Sequence, residues 1–242
     1  MRIFKNLNKI QVLDERFYTL DNETYYPSVT TVLNAYPKGV FFNNWLKANG
    51  DDADKILKEA GEQGSNVHDA IESFLKGNEL LWFDDNGREL YTLLEWQMIC
   101  RFMEFYKSVS KVEQIEMQLF STKHKIGGTL DLVCIINGER WLIDFKTSNN
   151  IYKTYELQLA IYKEVYQEMM KDVKIDRYGV LWLKASTRTE KPPMQGIGWQ
   201  IKEFADNHEH NFNLYKHTRA LWDEENKNYK PKNLEYPNSF KK

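Results

Sequence analysis

The stretch Asp131-Leu132-Val133-Cys134-Ile135-Ile136-Asn137-Gly138-Glu139-Arg140-Trp141-Leu142-Ile143-Asp144-Phe145-Lys146 decides the fold. Asn-Gly between two apolar runs is the signature of a two-residue type I′ hairpin turn. With Asn137 and Gly138 as the loop, Ile136 faces Glu139, Val133 faces Leu142 and Asp131 faces Asp144. Directly opposed residues share one side of the sheet, with Cβ atoms about 4.5–5.5 Å apart. Lys146 follows Asp144 by two positions and shares its face. Two carboxylates and an ammonium are thus gathered on strands otherwise built of Leu, Val and Ile. Opposed like charges destabilise a strand pair, and ions among apolar neighbours need a partner. A divalent cation would be that partner.

Outward from the hairpin, the chain reads as helix, three strands, helix, strand. An amphipathic pattern over residues 88–108 places Leu90, Leu93, Leu94, Met98, Phe102 and Phe105 at spacings of three and four. Residues 114–121 alternate Ile115, Met117 and Leu119 against Gln114, Glu116 and Gln118, a strand pattern. Residues 154–171 read as a helix and 176–184 as a strand, followed by a return strand near Trp199 and a helix over 204–225. Before the core, short strands around Ile10, Phe17 and Tyr26 precede several short helices over 28–77, punctuated by Pro37, Gly39, Gly50 and Gly61. The expected class is α+β: an αβββαβ core with a central mixed sheet flanked by helices and an N-terminal strand and helical extension. One domain over 1–242 is expected, comprising the extension (1–87), the core (88–184) and a C-terminal strand, helix and tail (185–242).

A net charge of −2 announces no nucleic-acid binder, so any basic groove is local. Two cysteines, Cys100 and Cys134, lie in apolar stretches and read as buried free thiols, too few for a four-cysteine iron–sulfur cluster. No apolar run reaches the ~20 residues of a membrane span, and no secretory apolar core follows Met1. An intracellular protein with no membrane partner is expected.

Gly128-Thr129-Leu130-Asp131, Asp144-Phe145-Lys146-Thr147 and Gln158-Leu159-Ala160-Ile161-Tyr162 resemble the RecB-like branch of the PD-(D/E)XK nucleases. Gly64-Ser65-Asn66-Val67-His68 resembles that branch's histidine motif. Tyr26-Pro27-Ser28-Val29-Thr30-Thr31-Val32-Leu33 is similar to the amino-terminal motif of mitochondrial genome maintenance exonucleases and their phage relatives. Two features depart from wider patterns. Asp rather than Glu precedes x-Lys, and the four cysteines of iron–sulfur members, CRISPR-associated exonucleases among them, are missing.

The resemblance implies a restriction-endonuclease-like fold and one or two Mg²⁺ or Mn²⁺ ions, with no iron–sulfur cluster. It implies that Asp131, Asp144 and the Phe145 carbonyl ligate the metal, with His68 adding a nitrogen to it or to a second ion. Lys146 would steer the attacking water, and Gln158 and Tyr162, four apart on one helix face, would touch bound water or the scissile strand. Plainer readings stand beside these. Asp144 and Lys146 form an ordinary ion pair; His68 is a satisfied helix histidine; Gln158 and Tyr162 complete a polar helix edge. Ser28, Thr30 and Thr31 bind a phosphate at a helix start, or Ser28 is only an N-cap. Glu116 is an outer metal or DNA contact, or a solvated strand residue. Glu72 orients His68 or faces water. Gly127-Gly128 admits DNA to the backbone or marks a bulge. Trp45, Trp82, Tyr152, Tyr155, Trp182 and Trp199 lie near these elements as possible stacking rings, none singled out, and Ser186 to Lys191 is a DNA-contacting arm or a solvated loop.

The expected activity is metal-dependent hydrolysis of DNA phosphodiester bonds, by an exonuclease on single-stranded or duplex (frayed) ends in replication, repair or recombination. The alternatives are a structure-specific DNA or RNA endonuclease and a nuclease-fold module that binds without cleaving.

Overall fold

The computed structural model describes residues 7–12, 15–184, 198–237 and 239–241. The expected arm from Ser186 to Lys191 lies outside the described residues.

The chain begins with a small antiparallel sheet of β1 (Asn8–Val12), β2 (Glu15–Thr19) and β3 (Tyr26–Pro27), followed by α1 (Val29–Leu33) and α2 (Gly39–Asn49). The next helix, α3 (Ala53–Leu75), corrects the expectation of several short helices: it runs through Gly61 and Gly64 without a break. A glycine inside a helix costs about 1 kcal/mol relative to alanine. Burial of Val67, Ala70 and Ile71 on the helix's inner stripe offsets that cost.

α4 (Leu93–Tyr106) starts five residues later than the 88–108 pattern suggests. Thr92 and Glu95 form a capping box, each side chain bonding the other's backbone N–H. Leu90 therefore falls before the helix, half exposed. Three strands follow, β4 (Val109–Ser121), β5 (Ile126–Ile136) and β6 (Glu139–Lys146), then α5 (Lys153–Met169), β7 (Arg177–Trp182), β8 (Gln200–Glu203) and α6 (His208–Glu225).

The second sheet has the order β4-β5-β6-β7-β8. All of its pairings are antiparallel except β6–β7, which are parallel and joined by the α5 crossover. The hairpin register is the one the Asn-Gly turn predicts, with Ile136 against Glu139 and Val133 against Leu142. Asn137 and Gly138 both take positive φ, as a type I′ turn requires.

Both faces of the central strands are buried. Val133, Leu142 and Val180 meet α1, α5 and α6 on one side. Leu132, Ile143, Phe145 and Leu181 meet α3 and α4 on the other. Cys134 is buried in that second layer as a free thiol, whereas Cys100, expected buried, is a free thiol on the exposed side of α4. Among the described residues no helix is long and apolar enough to cross a membrane.

Candidate metal and cleavage site

Three carboxylates fall in one row across β4, β5 and β6. Asp131 on β5 lies one step beyond the last hairpin pair, Leu132 with Ile143, which puts it beside Asp144. On its other flank, Ile115 pairs with Leu132 and Met117 with Leu130, which puts Glu116 beside it. Neither neighbouring pair is closed by the regular ladder. Instead Asp131 Oδ2 accepts the Phe145 backbone N–H at 2.6 Å. Glu116 stands at φ +45°, in the left-handed region that costs a residue with a Cβ about 1–2 kcal/mol.

α3 brings His68 to this row. A Cβ on Gly64 would lie 3.1 Å from Thr147 Oγ1, so the bare glycine one turn before His68 lets the helix approach the end of β6. The imidazole donates from Nε2 to the Phe145 carbonyl at 3.1 Å, and its Nδ1 lies 3.6 Å from Asp131 Oδ2. One ligand atom each from His68, Glu116 and Asp131 lies within 4.8 Å of the others.

Asp144 is held from two sides. Gln158 Nε2 donates to its Oδ1 at 2.9 Å, and Lys146 Nζ sits 2.6 Å from its Oδ2. The two carboxylate oxygens are thus each met, one by an amide and the other by an ammonium.

The charges perturb one another strongly. Burial pushes the Glu116 carboxyl up to about 7, with the Asp131 charge adding to the effect. Burial likewise raises Asp144 to about 6; Lys146 works against the rise and Asp131 with it. Burial would raise Asp131 too, but His68, Lys146 and the Phe145 N–H together hold it below its ordinary value. Burial opposes the charged forms of His68 and Lys146, yet the neighbouring carboxylates lift both above their usual ranges.

The donor set fits a hard divalent cation. Carboxylate oxygens with one imidazole suit Mg²⁺ or Mn²⁺ better than a thiophilic metal. The closeness of a ligand atom from each of His68, Glu116 and Asp131, two of them carboxylates on neighbouring strands, is the further observation a cation would explain.

Other expected residues sit as follows. Gln158 and Tyr162 share the buried face of α5, with Gln158 on Asp144 and within hydrogen-bonding reach of the Tyr162 hydroxyl. Glu72 forms an ion pair with Lys76, the C-cap of α3. Ser28, Thr30 and Thr31 bond one another through their hydroxyls, and Ser28 Oγ accepts the Thr31 N–H as the N-cap of α1. Gly127 and Gly128 neither open to solvent nor mark a bulge. Both are buried in regular register, their missing side chains replaced by the rings of Tyr18 and Tyr162. Strand alternation alone does not single out Glu116. The signal that finds it is the turn Thr122 to Lys125, whose closing pair Ser121–Ile126, followed back along both strands, sets Glu116 against Asp131.

A mixed sheet with helices on both faces and a carboxylate-lysine row across its first three strands define a restriction-endonuclease-like fold. The family model of the PD-(D/E)XK nuclease superfamily matches residues 44–232. The chain belongs to that superfamily and is a nuclease by family. Among solved structures it is similar to a "Putative exonuclease" from Eubacterium rectale, at 15% identity and a TM-score of 0.50, over 85% of this chain and 83% of that one. It overlaps less well with SSO0001, at 14% identity and a TM-score of 0.34, over 84% of this chain and 86% of that one. No curated protein matches the chain in sequence.

Proposed function

We propose that this chain is a Mg²⁺- or Mn²⁺-dependent deoxyribonuclease of the RecB-like branch, an exonuclease acting on single-stranded or frayed DNA ends in replication, repair or recombination. The observation that carries the reading is the row Glu116, Asp131, Asp144 with Lys146 and His68 against it. A divalent ion on these carboxylates would acidify a bound water and neutralise charge on the phosphate. His68, Glu116 and Asp131 would hold it, with Asp144 beside them in the row. Gln158 fixes Asp144 through Oδ1, and Lys146 meets Oδ2. Lys146 keeps its proton at Nζ beside Asp144 and offers N–H donors to a nucleophilic water or a phosphate oxygen.

The experiment is cleavage of end-labelled single- and double-stranded DNA, linear and circular, with Mg²⁺, Mn²⁺ or EDTA. Cleavage of linear single strands only with metal, abolished in Asp144→Ala and Lys146→Ala, is expected. No metal-dependent cleavage by the wild type would sink the reading, and cleavage of circles would make the protein an endonuclease.

A further inference from the structure

Lys146 is held on its other side by a residue that no motif assigns. Its Nζ lies 4.7 Å from the ring centroid of Tyr155, on the first turn of α5. A cation over an aromatic face within about 6 Å is attracted by the ring's quadrupole, more so when water is excluded. Both groups here are largely withdrawn from solvent.

The ring is itself braced. Tyr155 donates its hydroxyl to Ser148 Oγ at 3.1 Å, and Ser148 offers its carbonyl to the Trp182 indole N–H at 2.7 Å. Tyr152 packs edge-on against the same ring at 5.5 Å. Tyr155 and Gln158 are three residues apart, so they occupy neighbouring places on one helix face. One turn of α5 thus contacts both members of the ion pair: Gln158 the Asp144 carboxylate, Tyr155 the Lys146 ammonium.

We propose that Tyr155 is a positioning residue whose ring holds the Lys146 ammonium at the cleavage site. The need for it follows from the contact on the other side. Asp144 Oδ2 holds the Lys146 ammonium from one side only, at 2.6 Å, so the carboxylate alone does not fix where its remaining N–H groups point. A divalent cation on Asp144 would compete for that same oxygen, whereas the ring is no ligand for it. The ring takes no N–H donor in a directed bond, so those not turned to Asp144 stay available to water or phosphate.

The proposal rests on the nuclease reading above, and its test separates the two. Metal-dependent cleavage of a single-stranded oligonucleotide is measured for the wild type, Tyr155→Phe, Tyr155→pentafluorophenylalanine and Tyr155→Leu. Pentafluorophenylalanine keeps the ring's shape and removes its negative face, so a packing role cannot distinguish it from phenylalanine. Tyr155→Phe is expected to stay within about threefold of wild-type kcat. The fluorinated ring and Tyr155→Leu are expected to lose about tenfold in kcat at unchanged KM, which is about 1.4 kcal/mol in the barrier. Wild-type cleavage with equal kcat for the phenylalanine and fluorinated variants would overturn the positioning role and leave the nuclease reading standing. No cleavage by the wild type with either metal would overturn both. In protein with ¹³C-labelled lysine, a ring-current shift of the Lys146 side chain that persists in Tyr155→Phe and vanishes in Tyr155→Leu is the expected signature independent of turnover.

Discussion

Asp131 Oδ2 accepts the backbone N–H of Phe145 at 2.6 Å, at the point where the regular β5–β6 ladder ends. One carboxylate thus does two jobs: it closes the strand pair and it supplies charge to the candidate metal site. The two separate by substitution. Asp131→Asn keeps an oxygen for the N–H and is expected to lose only what the charge contributes beside His68 and Lys146, while metal-dependent cleavage falls by more than about a hundredfold. Asp131→Ala leaves the buried N–H without a partner and is expected to lose a further 1–3 kcal/mol or so of stability by urea denaturation. Equal stability of the two variants would refute the bridging role.

Gln158 fixes Asp144 rather than facing solvent. Gln158→Leu removes the amide donor on Asp144 Oδ1, leaving that buried carboxylate oxygen unpaired. A loss of about 1–3 kcal/mol in stability and of about ten- to a hundredfold in cleavage is expected, read by urea denaturation and single-turnover kinetics. Gln158→Glu keeps the shape but sets a second carboxyl against Asp144. It is expected to be at least as damaging to cleavage, because like charges disfavour the ionised form a metal needs.

How far the sequence reaches is clear from these residues. The Asn137-Gly138 turn has one favoured geometry, so the Asp131–Asp144 neighbourhood followed from counting. Gly64 one turn before His68 signalled a close helix approach, and Thr147 is what it approaches. Glu116 was harder to read. Strand β4 carries two register shifts before it, between Val109 and Lys111 and between Val112 and Gln114, and Glu116 takes a left-handed φ. Period-two alternation carries no record of either. The continuity of α3 was hidden for another reason: two glycines weaken local helix preference, and only the packing of Val67, Ala70 and Ile71 overrides them. Tyr18 and Tyr162 filling the places above Gly127 and Gly128 are contacts between distant segments, which no local pattern encodes.

Those glycines make a clean comparison. A Cβ on Gly128 would lie 2.6 Å from Tyr162 Cε1, whereas one on Gly61 would meet nothing within 4 Å. Gly128→Ala must push the Tyr162 ring or the strand, at a cost of about 1–3 kcal/mol, and is expected to lower cleavage as the ring moves. Gly61→Ala, in mid-helix, is expected to raise stability by about 0.5–1 kcal/mol with cleavage unchanged. Thermal melts and rates of the two variants check this directly; a Gly128→Ala protein as stable as the wild type would contradict the packing.

The carboxylate row also sets the pH dependence of the metal-free protein. Glu116 is raised from 4.5 to about 7 and Asp144 from 3.8 to about 6, so the folded chain holds these protons more tightly than the unfolded one. Their contribution to stability is present below the unfolded values and is lost as pH rises through the folded ones. Raised His68 and Lys146 act in the same direction at higher pH, while the lowered Asp131 acts oppositely, losing its contribution as pH falls below the ordinary carboxylate range. In EDTA the melting temperature is therefore expected to carry a downward component from about pH 4.5 to 7. Glu116→Gln should remove the upper part of that slope and Asp144→Asn the lower part. Saturating Mn²⁺ should flatten it as well, because metal binding takes the deprotonated carboxylates and releases the protons. A Glu116→Gln melting profile parallel to that of the wild type across this range would show that Glu116 is not the group held protonated beside Asp131.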